Sequence, residues 1–202
     1  MRDRADQREG PAVTRFPEIA AAERSAAQQR VADAILAGPR GAIVGPFLPL
    51  LHSPELCQHV QRLGAYVRFE CPIPAHLKEL AILVTARHWN AQFEWYAHRR
   101  LALEAGLDPR IIDAIAERRR PDGMSAAQAA VYDFARELQR ERQVSDATFA
   151  RAAEHLDRQS LIDLVALCGY YGLIAMVLNV ALVPVPAGAP ALDDPPAAAP
   201  DR

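Results

Sequence analysis

Lysine is almost missing from this 202-residue chain: Lys78 stands alone, and the rest of its 23 basic residues are arginines. Set against 25 acidic residues they leave a formal charge of -2, so no global positive field recruits nucleic acid or an anionic membrane. Cysteine is scarce as well. Cys57, Cys71 and Cys168 are odd in number and far apart, and none forms the Cys-x-x-Cys pair used for redox work or zinc, which fits a reducing cytosol. The charged opening, Met1 to Gly10, has no apolar stretch of the kind a secretory signal needs. No segment sustains an alternation of period two, so strands drop out and the chain reads as all-α.

Half of the residues are apolar, enough for one sizeable core flanked by looser ends. The organisation expected is a flexible N-terminus over 1–15, a helical domain over 16–185 and a Pro/Ala-rich disordered tail over 186–202. One run is apolar enough to raise the question of a membrane. From Leu164 to Val183 only Gly169, Tyr170, Tyr171, Gly172 and Asn179 interrupt it, and a span of about 20 such residues can cross a bilayer. Asp163 just before it and the lack of a basic cluster on either flank favour a helix buried in a core or a subunit interface, and so an oligomer without a membrane.

Helix signals divide the remainder. A first helix is expected over Glu18 to Leu36, closed by Gly38-Pro39. The three glycines and three prolines of 38–49 argue for a loop with no regular element. Ser53 and Pro54 open a helix towards Phe69, and Ala75 to Trp89 reads as the next. Asn90 is expected to cap a helix from Ala91 to Ala105, stopped by Gly106. Further starts fall at Asp108-Pro109, at Ser125, at Ser145 or Asp146, and near Gln159 for the long apolar helix.

The chemistry-bearing candidates lie on the two central helices. Glu94 and His98 are four residues apart, so they share a helix face where a carboxylate and an imidazole can act as an acid/base pair. Glu79 precedes them on the helix before. The same spacing is common on solvated helix faces, and Glu79 has the alternative of facing water beside Lys78. His52 and His59 read as capping or surface groups, and His76, His88 and His155 form no zinc-ligand pattern, so no metal is expected. Gly38-Pro-Arg-Gly41 offers backbone N–H groups to an anion, with a tight structural turn as the plainer reading.

Taken together, Gly38-Pro-Arg-Gly41, Gly45-Pro-Phe47, Leu51-His-Ser-Pro-Glu-Leu56, Glu79-Leu-Ala-Ile-Leu83, Glu94-Trp-Tyr-Ala-His98 and the stretch Gly169 to Asn179 resemble the carboxymuconolactone decarboxylase family, which shares the alkylhydroperoxidase-like fold. The resemblance runs in order over roughly residues 16 to 185. It implies an all-α, oligomeric helical bundle, a trimer or hexamer with a dimer as the lesser option, and a pocket near subunit contacts.

In the peroxidase branch of that fold a Cys-x-x-Cys pair lies between a glutamate and a histidine that match Glu79 and His98. The thiol positions fall on Ala91 and Glu94 here, so disulfide and sulfenic chemistry has no thiol at this place. The decarboxylase branch keeps a Glu-x-x-x-His pattern that Glu94 and His98 match. The resemblance thus implies a cofactor-independent lyase acting on a carboxylated lactone, in which the conjugated carbonyl is the electron sink and a histidine delivers the proton.

On that reading His98 is the general acid/base, Glu94 its orienting partner or a second acid/base, and Glu79 a relay from the preceding helix. Arg87 is a candidate for a substrate carboxylate, and Trp89, Trp95 and Tyr96 for an apolar wall; core or interface packing is the alternative for the tryptophans, and a surface ion pair for Arg87. The extra N-terminal helix and the Gly/Pro-rich loop set the chain apart from shorter decarboxylases. They keep open isomerisation, hydration or ring-opening of a related small molecule, and a non-catalytic ligand-binding oligomer.

Overall fold

The computed structural model describes residues 14–193. The helices are α1 (Ala26–Ala37), α2 (Phe47–Leu50), α3 (Pro54–Ala65), α4 (Ala75–His88), α5 (Gln92–Glu104), α6 (Pro109–Ala116), α7 (Ala126–Glu141), α8 (Asp146–Ala153) and α9 (Arg158–Ala181), and no strand occurs among the described residues. The all-α reading therefore stands.

Two helices form the centre. Ten of the fourteen residues of α4 are buried, so it has no wet face; α5, α7 and α9 pack around it and α6 lies against it. The second is α9, whose mean hydropathy and length would suit a bilayer, yet Leu161, Leu164, Leu167, Ile174 and Leu178 lie in the protein core. Amphipathic helices complete the bundle. Cys57, Val60 and Gly64 place the buried side of α3 at intervals of three and four residues, and Val131, Phe134 and Ala135 do so for α7.

Most helix ends agree with the sequence signals. Ser125 accepts from the Gln128 amide in a capping box, Asp108 and Ser145 cap α6 and α8, and Gly106 takes a left-handed conformation after α5. Several expectations are corrected. The first helix does not begin at Glu18: a 3-10 turn fills Ala21–Glu23, and α1 starts after Ser25, whose capping box with Gln28 fixes the boundary. The loop over 38–49 gives way to a short helix at Phe47, because Pro46 and Pro49 sit where no backbone N–H is required.

Asn90 does not cap α5. Its φ is 51°, its side-chain oxygen accepts from Arg87, and Ala91 is the N-cap residue. The long helix begins one residue early because Asp157 accepts from the Ser160 amide. The segment after α3 continues as a π-helix over Tyr66–Glu70.

Both ends are more tied than composition implies. The Arg15 amide donates to the Ala181 carbonyl at 2.9 Å, and the expected flexible N-terminus otherwise lies outside the described residues. The first part of the tail is held as well. Leu192 is buried, and the Gln92 side chain both donates to its carbonyl and accepts from its amide, each at 2.8 Å.

Candidate functional site

The side chain of Glu79, on α4, and that of His98, on α5, meet across the interface of the two helices: Glu79 Oε2 lies 2.7 Å from His98 Nδ1. With Glu79 as the carboxylate, the ring carries its proton on Nδ1 and donates it, which leaves Nε2 for another partner. Tyr171 fixes the ring from α9, edge-on at 4.8 Å between centroids. Orientation by a carboxylate on one nitrogen and an aromatic edge on the ring restricts His98 to one rotamer and one tautomer.

Glu94 differs in kind. It is fully enclosed, and neither carboxyl oxygen has a hydrogen-bond partner in the structure. Burial therefore pushes its carboxyl well above the ordinary range, which favours the protonated form. The sequence leaves Glu94 as either the orienting partner of His98 or a second acid/base; in the structure Glu79 holds the ring, and Glu94 makes no hydrogen bond to it. A shared helix face does not bring their polar atoms together.

Glu94 and His98 form one wall of a cavity of about 110 Å³. Phe93 and Ala97 of α5 continue it, Tyr170, Tyr171, Ile174 and Leu178 come from α9, and Val44, Pro46 and Phe47 close it from the loop and α2. Two positive groups border this largely apolar space. Arg40 comes from the Gly/Pro-rich loop and Arg68 from the π-helix. The Arg40 guanidinium donates to Tyr170 Oη at 3.4 Å and lies over the Phe47 ring at 4.7 Å, while Arg68 lies over Phe69 at 4.9 Å. Arg40 Nε is buried without a partner. A buried carboxyl, an oriented imidazole and two cations around an apolar hollow can bind a small anion and hand it a proton.

Glycine makes two of these contacts possible. A Cβ on Gly64 would overlap Tyr170 Oη and Arg40 Nη2, and one on Gly45, whose φ is +58°, would overlap the Phe93 ring. The loop and α3 approach the cavity this closely because no side chain stands between.

The four residues proposed from sequence as substrate contacts do not line this cavity. Arg87 donates to the Ala116 carbonyl at 2.7 Å and to Asn90, on another side of α4. Trp89 donates its ring N–H to Gln139 at 3.3 Å. Trp95 is 2% exposed and belongs to the core, and Tyr96 is 37% exposed with its ring against Phe93. Arg40, Arg68, Tyr170 and Tyr171 are the residues sequence reasoning missed. Arg40 alone has a signal, since its Gly38-Pro-Arg-Gly41 string offers an anion cradle beside the plainer reading of a tight turn; what borders the cavity there is the Arg40 side chain.

No thiol lines the cavity. Burial pushes Cys57 up to about 11 and Cys168 up to about 12, so both are neutral thiols at physiological pH. Among the described residues no three His, Cys, Asp or Glu side chains come together as a metal-holding group.

Comparison with known proteins agrees with this architecture. Residues 54–137 match the model of the carboxymuconolactone decarboxylase family. A solved structure from Ralstonia eutropha JMP134, described as an alkylhydroperoxidase AhpD core and an uncharacterized peroxidase-related protein, superposes with a TM-score of 0.71 at 18% identity, over 85% of this chain and 92% of that one. No curated protein matches the sequence. The matched helices, α3 to α7, carry Glu79, Glu94 and His98. The chain thus has the alkylhydroperoxidase-like fold, and its segment 54–137 is similar to the carboxymuconolactone decarboxylase family.

Proposed function

We propose that the cavity between α5 and α9 is the active site of a cofactor-independent lyase that decarboxylates a small carboxylated lactone or a similar compound. The observation that carries this reading is Glu94: a buried carboxyl without a hydrogen-bond partner, on the wall of a cavity that also holds His98. An isolated carboxyl in such a place is a proton donor waiting for a carbanion-like acceptor.

Each step uses a group already placed. Arg40 or Arg68 pairs with the substrate anion at the cavity wall, and the aromatic lining excludes water from the reacting carbon. The bond from that carbon to the carboxylate breaks, carbon dioxide leaves, and the electron pair passes into the conjugated lactone carbonyl as an extended enolate, whose charge the guanidinium stabilises. Glu94 delivers its proton to carbon, which restores the neutral lactone and leaves a buried carboxylate. After product leaves, His98, held by Glu79, takes up a proton from solvent and passes it to the Glu94 carboxylate, which restores the acid for the next turnover.

The test is a panel of carboxylated lactones monitored by ultraviolet absorbance and carbon dioxide release. Turnover is expected, with kcat lowered about 100-fold or more in Glu94→Gln and in His98→Ala, in keeping with the worth of a positioned acid. Binding without turnover, unchanged in both variants, would instead establish a ligand-binding protein. The peroxidase-related solved structure motivates one further control. Buried, neutral thiols speak against peroxide reduction, and a chain with Cys57, Cys71 and Cys168 replaced by serine is expected to leave lactone turnover intact.

A further inference from the structure

A second cleft opens on another side of α4. Its walls are Val84, Arg87 and His88 from α4, Ile115 and Arg118 from the end of α6, and Tyr132, Arg136, Gln139 and Arg140 from α7. It encloses about 370 Å³, and its lining shares no residue with the cavity at Glu94 and His98. Four guanidinium groups and an imidazole border it, without a single carboxylate.

Helix geometry makes the cluster. Arg87 and His88 are three and four residues beyond Val84, and Arg136, Gln139 and Arg140 are four, seven and eight residues beyond Tyr132, so each set lies on one helix face. Arg118 is thrown inward by a left-handed turn at φ 59° that ends α6. Gln139 is occupied as a brace: it donates to Thr85 Oγ1 and to the Cys168 carbonyl, and it accepts from Trp89.

The charges are not compensated locally. Arg87 is 5% exposed, and its hydrogen bonds go to a carbonyl and an amide oxygen, neither of which carries charge. Among the described residues Arg118 and Arg136 form no ion pair, and Arg140 reaches Glu141 only at 3.9 Å. Asp193, in the arm after α9, is the acid whose field reaches Arg87. Burial and the charge of Arg118 together push His88 below the ordinary imidazole range, the sign expected where cations crowd without partners.

We propose that this cleft binds a small phosphate-bearing anion of the pyrophosphate type, at a site separate from the one that performs the chemistry. A monocarboxylate presents two coplanar oxygens and is satisfied by one guanidinium fork. Guanidinium charges arriving from α4, from the turn after α6 and from α7 suit an anion with many oxygens and more than one charge.

Titration calorimetry of the full chain with inorganic pyrophosphate, at constant ionic strength, tests it. Saturable binding is expected, weakened about tenfold or more in Arg118→Ser/Arg136→Ser, whose exposed side chains leave the core untouched, and unchanged in His98→Ala. Absence of saturable binding, equal affinity in the double variant, or succinate binding as tightly as pyrophosphate would overturn the proposal. Because His98→Ala disables only the first site, loss of lactone turnover there leaves this result standing, and failure here leaves the lyase reading standing.

Discussion

At the scale of single residues, Glu94 has the clearest thermodynamic signature. Its carboxyl titrates above the 4.5 of an unfolded glutamate because burial disfavours the charged form. Between the unfolded and folded values the native state therefore holds a proton that the unfolded state has released, and stability falls as pH rises through that window. Glu94→Gln removes the term. The gap in melting temperature between variant and wild type is expected to widen in favour of the variant from about pH 5 upward, and thermal unfolding at a series of pH values would show it. A gap that stays constant with pH would mean that the side chain is hydrated. Trp95, one residue along, has a different role. Its ring fills the core, and Trp95→Ala is expected to cost about 3–5 kcal/mol in a denaturant titration.

At the scale of elements, the close approach of α3 to α9 makes Gly64 a determinant of the site although it does not line the cavity at Glu94 and His98. Gly64→Ala is expected to displace Tyr170 and Arg40, at about 1–3 kcal/mol of stability, and to raise KM for an anionic substrate more than it lowers kcat. Much of this level is legible in the sequence. Pro54, Gly106, Asp108-Pro109, Ser125 and Ser145 act through local chemistry, so the helices they bound can be placed from the chain alone, although Ser53 does not make the capping hydrogen bond expected of it. The Glu79–His98 pairing comes from resemblance, since the residues stand nineteen positions apart on different helices. Arg68 stays hidden for the same reason, since nothing local tells a π-helix arginine that it will meet α5, and Arg40 is hinted at only by its Gly38-Pro-Arg-Gly41 string. Asn90 misleads because its side chain serves Arg87, a contact that wins over capping.

At the scale of the whole molecule, the bundle leaves part of its most apolar helix uncovered. Ile162, Val165, Met176 and Val180 of α9 are exposed, with Gly169 open between them, and the spacing puts them on one side. This stripe supports the proposal of a homo-oligomer. Sedimentation of the full chain is expected to give a mass above that of one 22.2 kDa subunit, falling towards it in Val165→Asp/Val180→Asp. A wild-type monomer would remove the idea.

The Gln92–Leu192 clasp has a consequence of its own. Gln92 is the opening residue of α5, two places before Glu94, so the arm beyond α9 is fastened to the mouth of the helix that carries the acid. A protease cut between Val185 and Leu192 would unbutton that end and let the first turn fray, and Glu94 would be the first buried side chain to feel water.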